Sequence, residues 1–304
     1  MKSKLIHSVK KYYSLYLFLL PLLICLVLFF YMPMFGVVIA FKDYSPRQGI
    51  LGSPWAADLF GQFKRFFTSY HFGNLIGNTL YLAIGILFTS VLPPIALALM
   101  LNQCASDRLR KLVQNVSYVP YFISMVVFVG ILNIFFGYSG GLVNNFLSLF
   151  GMPDRYWLGE ASFFRPLYIW SGVWKNTGYQ AIIYLAALTG VSDELHEAAI
   201  IDGANKLQRI QHIDIPAIVP IISTMVLLAF GNLMNIGFEK ALLMQTPINL
   251  EVSNIIPTYV YTQGVRGGQY SYATAISLFN SLINTVLLVL ANGITKKLTN
   301  SSLW

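Results

Sequence analysis

Charge is scarce in this chain of 304 residues, where Asp, Glu, Lys and Arg together make up 11% of the positions. Soluble globular domains carry about 25% charged residues. Hydrophobic residues make up 56% of the chain, and its mean hydropathy is +0.62. The composition therefore excludes an ordinary soluble domain and predicts a protein that resides in a lipid bilayer.

Residue patterns for catalysis, metal binding and nucleotide binding are also missing. The two cysteines, Cys25 and Cys104, form neither a disulfide framework nor a zinc-like cluster. The sequence contains no HExxH motif, no nucleophile elbow, and no phosphate loop of the GxxxxGKS or GxxxxGKT type. The four histidines are dispersed, and we expect them on solvated surfaces. We therefore expect a protein that is not an enzyme and that holds no cofactor or metal of its own.

Long apolar runs, in contrast, are abundant. A hydrocarbon core about 30 Å thick requires about 20 mostly apolar helical residues, because lipid offers no partner to exposed backbone groups. Six stretches qualify, at residues 15–41, 75–101, 113–136, 166–188, 217–238 and 272–294. No A-x-A cleavage pattern follows the first run, so we interpret it as a retained span. The predicted fold is an all-α membrane protein with a cytoplasmic segment at residues 1–14 and a single transmembrane domain at residues 15–304.

The positions of lysine and arginine predict how the chain crosses the membrane, because basic residues in short loops stay on the cytoplasmic side. With the N-terminus inside, the cytoplasmic segments hold Lys2, Lys4, Lys10, Lys11, Arg108, Arg110, Lys111, Lys206, Arg209, Lys296 and Lys297, and Lys240 falls in an external loop. The basic residues behind the net charge of +8 thus lie at the edges of apolar runs, as membrane topology requires. They form no stripe with interleaved aromatics that would bind nucleic acid. We expect both termini in the cytoplasm and no nucleic-acid partner.

A polar stretch, ELHEAAIIDGANKLQRIQHIDIPAIVP, separates the fourth and fifth predicted spans on the cytoplasmic side. Ser192 is a typical helix N-cap, and small and apolar residues follow it at helical spacing. Gly203 ends this helix, a second short helix follows, and Pro216 marks the start of the next span. On periodicity alone, residues 192–216 are either an interfacial helix that lies on lipid or a docking helix for a partner protein.

This segment resembles the signature of the membrane-spanning subunits of binding-protein-dependent ABC importers. That signature is EAA, three residues, Gly, nine residues, Ile, one residue and Leu-Pro. Every spacing is intact here, with Ile215 in place of the Leu, and the matching positions are Glu197, Ala198, Ala199, Gly203, Ile213 and Pro216. In the family this segment is the coupling helix, which docks into a cleft of a separate ATP-hydrolysing subunit. The resemblance implies that these residues, together with Asp202, couple the chain to an ATPase.

The resemblance covers nearly the whole chain, which is most similar to permeases of the carbohydrate class. Matching stretches include YMPMFGVVIAFKDYSP, FRPLYIWSGVWKNTGYQAIIYLAAL and GQYSYATAISLFNS. It implies a subunit of an ATP-driven sugar or oligosaccharide importer, embedded in the lipid of the bacterial cytoplasmic membrane. The implied partners are a second, non-identical permease, two ATP-binding cassette subunits that bind ATP and Mg²⁺, and an extracytoplasmic solute-binding protein.

Polar and aromatic residues of the spans are candidates for the sugar pathway, because rings stack on pyranoses and amides pair with hydroxyls. The candidates are Trp170, Trp174, Lys175, Asn176, Tyr179, Asn232 and Asn235, with Gln180, Asn78, Asn280 and Asn284 as further amides. Packing of the rings and interhelical hydrogen bonds of the amides are the alternatives. Lys175 either faces the cavity, where it binds a sugar hydroxyl or a uronate carboxylate, or snorkels to the membrane interface.

Other functions remain open at this point. An amino-acid or ion permease of the same importer type would carry the same coupling signature. An ion-coupled secondary carrier would show a repeat between its halves and carboxylates near the middle of the membrane, and the sequence shows neither. A structural membrane protein would have no use for the polar fourth span and the polar cytoplasmic stretch.

Overall fold

The computed structural model describes residues 11–299. Their regular structure is helical, with turns and loops between the helices, and their one β feature is an isolated bridge between Lys42 and Trp55. The helices of nine or more residues are α1 (Tyr13–Leu26), α2 (Phe72–Asn102), α3 (Asp107–Tyr118), α4 (Met125–Phe136), α5 (Ala161–Leu188), α6 (Asp193–Ile201), α7 (Ile215–Gly231) and α8 (Tyr270–Thr299). The all-α fold is confirmed. Residues 1–10, with most of the predicted cytoplasmic segment, and the C-terminal Leu303 and Trp304 lie outside the described residues.

Shorter helices and tighter or wider turns join these elements. The short α-helices are Met32–Met34, Gly49–Gly52, Gly61–Phe67, Leu142–Ser148, Lys206–Arg209, Phe238–Met244, Leu250–Ser253 and Ile256–Tyr261. Stretches of 3₁₀-helix lie at Phe35–Phe41 and Val119–Phe122, and π-helical turns lie at Val27–Tyr31, Ile210–Asp214 and Thr262–Arg266. Interruptions of this kind are common in membrane helices, where neighbouring groups satisfy the freed backbone.

Four stretches of described residues are long and apolar enough to cross a membrane: Tyr13–Phe41, Phe72–Asn102, Lys206–Gly231 and Tyr270–Lys297. A fifth is added if α3 and α4, which are bent by 103° across a short break, count as one span. The predicted count of six is therefore not confirmed. Helix α5 lies at the fourth predicted span, and its 28 residues extend roughly 42 Å, which is long enough to cross.

The third predicted span, residues 113–136, is not a straight helix. Pro120 lies in the 3₁₀ turn that ends α3, where its missing backbone N–H interrupts the helical hydrogen bonds. Ser124 then begins a new helix, because its Oγ accepts a hydrogen bond of 3.3 Å from the N–H of Val127. Local residues therefore account for the bend at this point.

Two compact units make up the chain, and the first comprises the described residues of Met1–Ser69 and Val260–Leu278. Within this unit, none of the residues of α1 is buried against the rest of the described chain. The loop after the first span wraps around Lys42, whose Nζ donates hydrogen bonds to the carbonyls of Ile50 at 2.7 Å and Ser53 at 3.0 Å. The Ser271 hydroxyl donates to the Lys42 carbonyl at 2.6 Å, which ties this loop to the start of α8.

The second unit comprises Tyr70–Tyr259 and the described residues from Phe279 onward. Its core is built where α2 and α5 pack along each other, with Leu82, Phe128 and Tyr168 among the fully buried side chains. Helix α3 approaches α5 closely at Gly178. A Cβ added at this glycine would lie only 2.1 Å from the carbonyl oxygen of Ser117. Small residues permit such close contact, which stabilises membrane helices by van der Waals packing.

Candidate functional site

Helix α6, the first part of the polar segment between α5 and α7, begins and ends as its sequence predicts. The Oγ of Ser192 accepts a hydrogen bond from the N–H of Glu194 at 3.3 Å, which caps α6. At the other end, Gly203 adopts a left-handed φ of 82°. The N–H of Ala204 donates to the carbonyl of Ala199 at 2.8 Å, and the N–H of Gly203 donates to the carbonyl of Ile200 at 3.0 Å. This is a Schellman turn, which glycine favours because it has no Cβ.

A second short helix follows the glycine turn, as predicted. Asn205 and Gln208 form a capping box, with side chain to backbone bonds of 2.9 and 2.7 Å in the two directions. The helix Lys206–Arg209 continues through the π turn Ile210–Asp214 into α7, where Pro216 lies in the first turn. The expected start of the span at Pro216 is therefore not observed, because the helix already runs from Lys206. Pro216 lacks the N–H of a regular helix, and the π turn directly before it is where the helical hydrogen-bond pattern is irregular.

The candidate coupling residues lie on an exposed surface of this segment. Glu197 and Ala198 are exposed, and the apolar side chains of Leu195 and Ile201 are 55% and 85% exposed. A shallow groove of about 290 Å³ is lined by Ala199, Asp202, Gly203, Ala204, Gln208, Arg209, His212 and Ile213. Small and apolar groups in the open, next to a groove, are typical of a surface that binds a protein partner.

Asp214 is a buried acid that the sequence did not single out. Its carboxylate accepts hydrogen bonds from Gln103 Nε2 at 2.9 Å and Asn102 Nδ2 at 3.4 Å, both at the end of α2. His196 on α6 lies 3.3 Å away through its Nε2. We name these four residues the Asp214 clasp, because they connect the candidate coupling helix to α2 and α7. The expectation that His196 is solvated was wrong, since its side chain is 16% exposed and contacts this carboxylate.

Lys175 on α5 is buried and serves the bend between α3 and α4. Its Nζ donates hydrogen bonds to the carbonyl oxygens of Pro120 at 3.2 Å and Tyr121 at 3.0 Å, and also to that of Ile123. An ammonium group has three donors, and these three carbonyls occupy all of them. The sequence could not indicate these partners, because they lie more than 50 positions away along the chain.

The aromatic candidates are exposed or stacked on neighbouring rings. Trp170 and Trp174 are 65% and 50% exposed, and Trp174 also stacks on Phe128 with 5.6 Å between centroids. Tyr179 stacks on Tyr121 with 3.8 Å between centroids and near-parallel planes. These contacts are compatible both with ring packing and with a platform for a sugar.

Most of the candidate amides make structural hydrogen bonds. Asn280 donates to the side chain of Asn235 at 2.6 Å, and Asn284 accepts from the N–H of Met234 at 2.9 Å. Asn78 donates to the carbonyls of Glu251 and Asn254 at 2.7 and 3.0 Å. Such bonds match the alternative of interhelical pairing. Asn232 is exposed just beyond the end of α7.

Asn176 and Gln180 line a cavity of about 190 Å³ together with Ile86, Thr89, Ser90, Met125, Tyr168, Ile169, Gly172, Val173, Gly237 and Lys240. We name it the Lys240 cavity. Sequence reasoning placed Lys240 in an external loop, but its side chain is 6% exposed, and its Nζ donates to the carbonyl of Tyr168 at 2.5 Å. The Tyr168 hydroxyl in turn donates to the Gly237 carbonyl at 3.0 Å.

Comparison with known proteins gives concordant findings. Residues 94–300 match the family described as the binding-protein-dependent transport system inner membrane component. The polygalacturonan/rhamnogalacturonan transport system permease protein YteP of Bacillus subtilis (strain 168) is 41% identical over 296 residues, which cover 97% of this chain and 91% of that protein.

Two solved structures match nearly the whole chain. One is a bacterial ABC transporter involved in the import of the acidic polysaccharide alginate, with a TM-score of 0.90 and 37% identity over 97% of this chain and 99% of the matched chain. The other is a bacterial alginate ABC transporter in complex with an alginate pentasaccharide-bound periplasmic protein, with a TM-score of 0.89 and 36% identity over 98% and 99% of the two chains.

Proposed function

The chain belongs to the family of binding-protein-dependent transport system inner membrane components, and on that premise we propose that it is the membrane-spanning subunit of an ATP-driven importer of acidic oligosaccharides. The observation that carries the proposal is the exposed, capped segment of α6 and Gly203, which has the shape and signature spacing of a coupling helix. The acidic class is supported by the similar proteins, whose names specify polygalacturonan, rhamnogalacturonan and alginate.

The partners we propose supply what this chain lacks. A second, non-identical permease completes the pathway, two ATP-binding cassette subunits bind ATP and Mg²⁺, and an extracytoplasmic solute-binding protein delivers the glycan. The candidate coupling residues transmit closure of the ATPase subunits into α7 through the continuous helical path from Lys206 to Gly231. Support for this route comes from the exposed groove beside Gly203 and from the absence of a break between the segment and α7.

The membrane topology is part of the proposal. The basic residues at the ends of the apolar stretches favour cytoplasmic termini and a cytoplasmic coupling segment. Helix α5 then serves as the fourth of six spans, despite its polar side chains, because it is long enough and packs along α2.

Reconstitution tests this function directly. The chain, its partner permease, the ATPase subunits and the binding protein are placed in proteoliposomes, and uptake of a galacturonate trisaccharide is compared with uptake of a neutral trisaccharide. We expect ATP-dependent uptake of the acidic glycan and ATP hydrolysis stimulated by the loaded binding protein. Uptake of amino acids alone would favour an importer of another solute class. Uptake driven by an ion gradient without ATP would favour a secondary carrier.

A further inference from the structure

Lys240 is a buried basic residue whose Nζ forms no ion pair with another described residue. Its Nζ bonds the Tyr168 carbonyl, and the rings of Tyr168 and Phe128 lie 4.5 and 5.4 Å from it, measured to their centroids. A buried charge is costly unless it is paired, and ring faces offset part of that cost. One carbonyl occupies one of the three ammonium donors, so two donors remain for a further ligand.

A second buried lysine lies at the same place, and the nearby Glu239 offsets part of its charge. The Nζ of Lys175 also lies 5.4 Å from the centroid of the Phe128 ring. Its donors are occupied by the backbone carbonyls at the bend, so Lys175 contributes charge and no free hydrogen bond. Two like charges near one ring repel each other, and an anion placed beside them relieves that repulsion.

The rest of the Lys240 cavity is mostly apolar, with a few polar groups, and none of the described residues that line it is acidic. The amides of Asn176 and Gln180 make no hydrogen bond to another described residue, so their N–H groups are available. The hydroxyls of Thr89 and Ser90 donate to carbonyls of their own helix, both at 2.9 Å, which leaves only their acceptor capacity. The free donors of the cavity are thus an ammonium and two amides, a set that matches a carboxylate.

The position of Lys240 is fixed by its neighbours. Gly237 begins the helix Phe238–Met244 with a φ of 31°, and a Cβ added there would lie 2.0 Å from the hydroxyl oxygen of Tyr168. A Cβ added at Gly172 on α5 would lie 3.4 Å from the Nζ of Lys240. Gly237 therefore leaves space for the tyrosine hydroxyl, and the ammonium group of Lys240 lies against α5 at Gly172.

Given the proposed function, on which this step depends, we infer that the Lys240 cavity is a binding site for a carboxylate of the transported glycan, with Lys240 as its specificity-determining residue. A neutral sugar would have to displace water from the ammonium without supplying a charge. A uronate supplies the missing counter-ion and accepts from the free donors. The cavity therefore discriminates between acidic and neutral glycans of equal length.

Transport by the complete reconstituted importer tests the assignment. We compare kcat/KM for a galacturonate trisaccharide and for its carboxyl-reduced counterpart in wild type, Lys240→Met and Lys240→Arg. A hydrogen bond to a charged group contributes enough for roughly a tenfold or greater effect. We expect Lys240→Met to lower kcat/KM for the acidic glycan by about tenfold or more and to change that for the reduced glycan less than about twofold. Lys240→Arg should keep most of the preference, because it keeps the charge.

Lys64→Met is the matched control, since Lys64 is an exposed lysine in an exposed ion pair with Asp58 and does not line the cavity. It should leave both values within about twofold of wild type, as surface substitutions usually do. Equal losses for the two glycans in Lys240→Met would overturn the assignment, because a purely structural lysine that only bonds the Tyr168 carbonyl predicts that result. An unchanged preference in Lys240→Met would overturn it as well.

A binding measurement separates this site from the proposed function. We measure the Tm of the purified importer in detergent with the galacturonate trisaccharide, with its reduced counterpart and with acetate at equal concentration. A ligand that binds the folded state raises Tm. Wild type should be stabilised by the acidic trisaccharide, and Lys240→Met should not be. If wild type transports neither glycan, the proposed function fails. If the acidic trisaccharide does not raise the Tm of wild type, the assignment of the site fails. A rise with acetate alone would show an anion site that does not recognise glycans and would overturn the assignment.

Discussion

Lys175 and Lys240 both lie near Phe128, but their hydrogen bonds differ. Lys175 holds the backbone of the bend between α3 and α4 with all its donors, while Lys240 bonds one carbonyl and faces a cavity. From sequence, Lys175 was the candidate for sugar binding and Lys240 an external loop residue. In the structure, the free hydrogen-bond donors belong to Lys240, because Lys175 uses all of its own on the backbone of the bend.

Substitution of Lys175 should affect stability before it affects specificity. Lys175→Met leaves the carbonyls of Pro120, Tyr121 and Ile123 without their donor, and each unsatisfied buried group costs about 1–3 kcal/mol. We expect a lower Tm and reduced abundance in the membrane, with uptake of acidic and reduced trisaccharides falling by similar factors. Thermal unfolding in detergent and paired uptake assays measure this. A selective loss of acidic uptake at normal Tm would instead return Lys175 to the substrate site.

Gly203 has a left-handed φ, and a Cβ added there would meet nothing within 4 Å in this chain. Backbone conformation and contact with a partner are therefore two separate reasons for a glycine at this position. Its conformation disfavours a side chain, and an ATPase surface against it would do so too. Gly203→Leu should uncouple ATP hydrolysis from uptake. Asn tolerates the left-handed region far better than Leu. Gly203→Asn should therefore retain most coupled uptake if backbone conformation is the reason.

The outcome for Gly203→Asn distinguishes the two explanations. Coupling measured as glycan transported per ATP hydrolysed should stay within about threefold of wild type if only φ matters. A loss as complete as in Gly203→Leu, at equal membrane abundance, would show that the bare backbone itself contacts the partner.

At the scale of elements, the Asp214 clasp is the connection between the candidate coupling helix α6 and the end of α2. Its carboxylate is fully buried, and it contacts Asn102, Gln103 and His196. A helix that must transmit force needs such an attachment, because α6 itself buries none of its side chains fully. We therefore expect the clasp to make α6 move together with α2 and α7.

Asp214→Ala should therefore weaken the transmission of movement. Removal of the Asp214 carboxylate leaves the amides of Asn102 and Gln103 without their acceptor, and each buried polar group left unsatisfied costs about 1–3 kcal/mol. We expect at least a roughly tenfold fall in glycan transported per ATP hydrolysed, with smaller loss in Asp214→Asn, which keeps an acceptor. Glu194→Gln, an exposed acid on the same helix, is the control and should remain near wild type. Unchanged coupling in Asp214→Ala would exclude the clasp from transmission.

At the scale of the whole molecule, the first span is the element most in need of a neighbour. None of the residues of α1 and of the π turn Val27–Tyr31 is buried, and large side chains such as Phe18 and Phe29 are 82% and 72% exposed. Lipid covers such a surface readily, and so does a second permease. The proposed pairing therefore predicts a partner that survives extraction.

Purification in mild detergent measures this pairing. We expect the chain to co-purify with a non-identical permease in equal amounts, and neither subunit alone to support uptake. Truncation of the first span, with the rest of the chain present, should lower recovery of the partner if that span lies in the pairing surface. A homodimer of this chain that transports glycan without another permease would contradict the proposal.

Much of this molecule is determined by the sequence itself. Hydropathy identifies the apolar stretches, because lipid accepts only helices whose backbone groups pair internally. The two ends of α6 were predicted, since Ser192 and Gly203 act through bonds to residues a few positions away. Pro216 was expected to begin the next span, but the helix already starts at Lys206 and runs through this proline. The break in the third predicted span was missed, because proline within an apolar run does not by itself tell a kinked helix from a 103° bend.

Only the tertiary structure decided which charges are buried and what they bind. Lys240 bonds a carbonyl 72 positions away, and Asp214 bonds an amide 111 positions away. In sequence, both residues look like solvated charges at the edge of an apolar run. A charged side chain is stable in the interior only when partners converge on it from elements distant in the chain. That convergence is a property of how α2, α5 and α7 pack, and no local pattern encodes it.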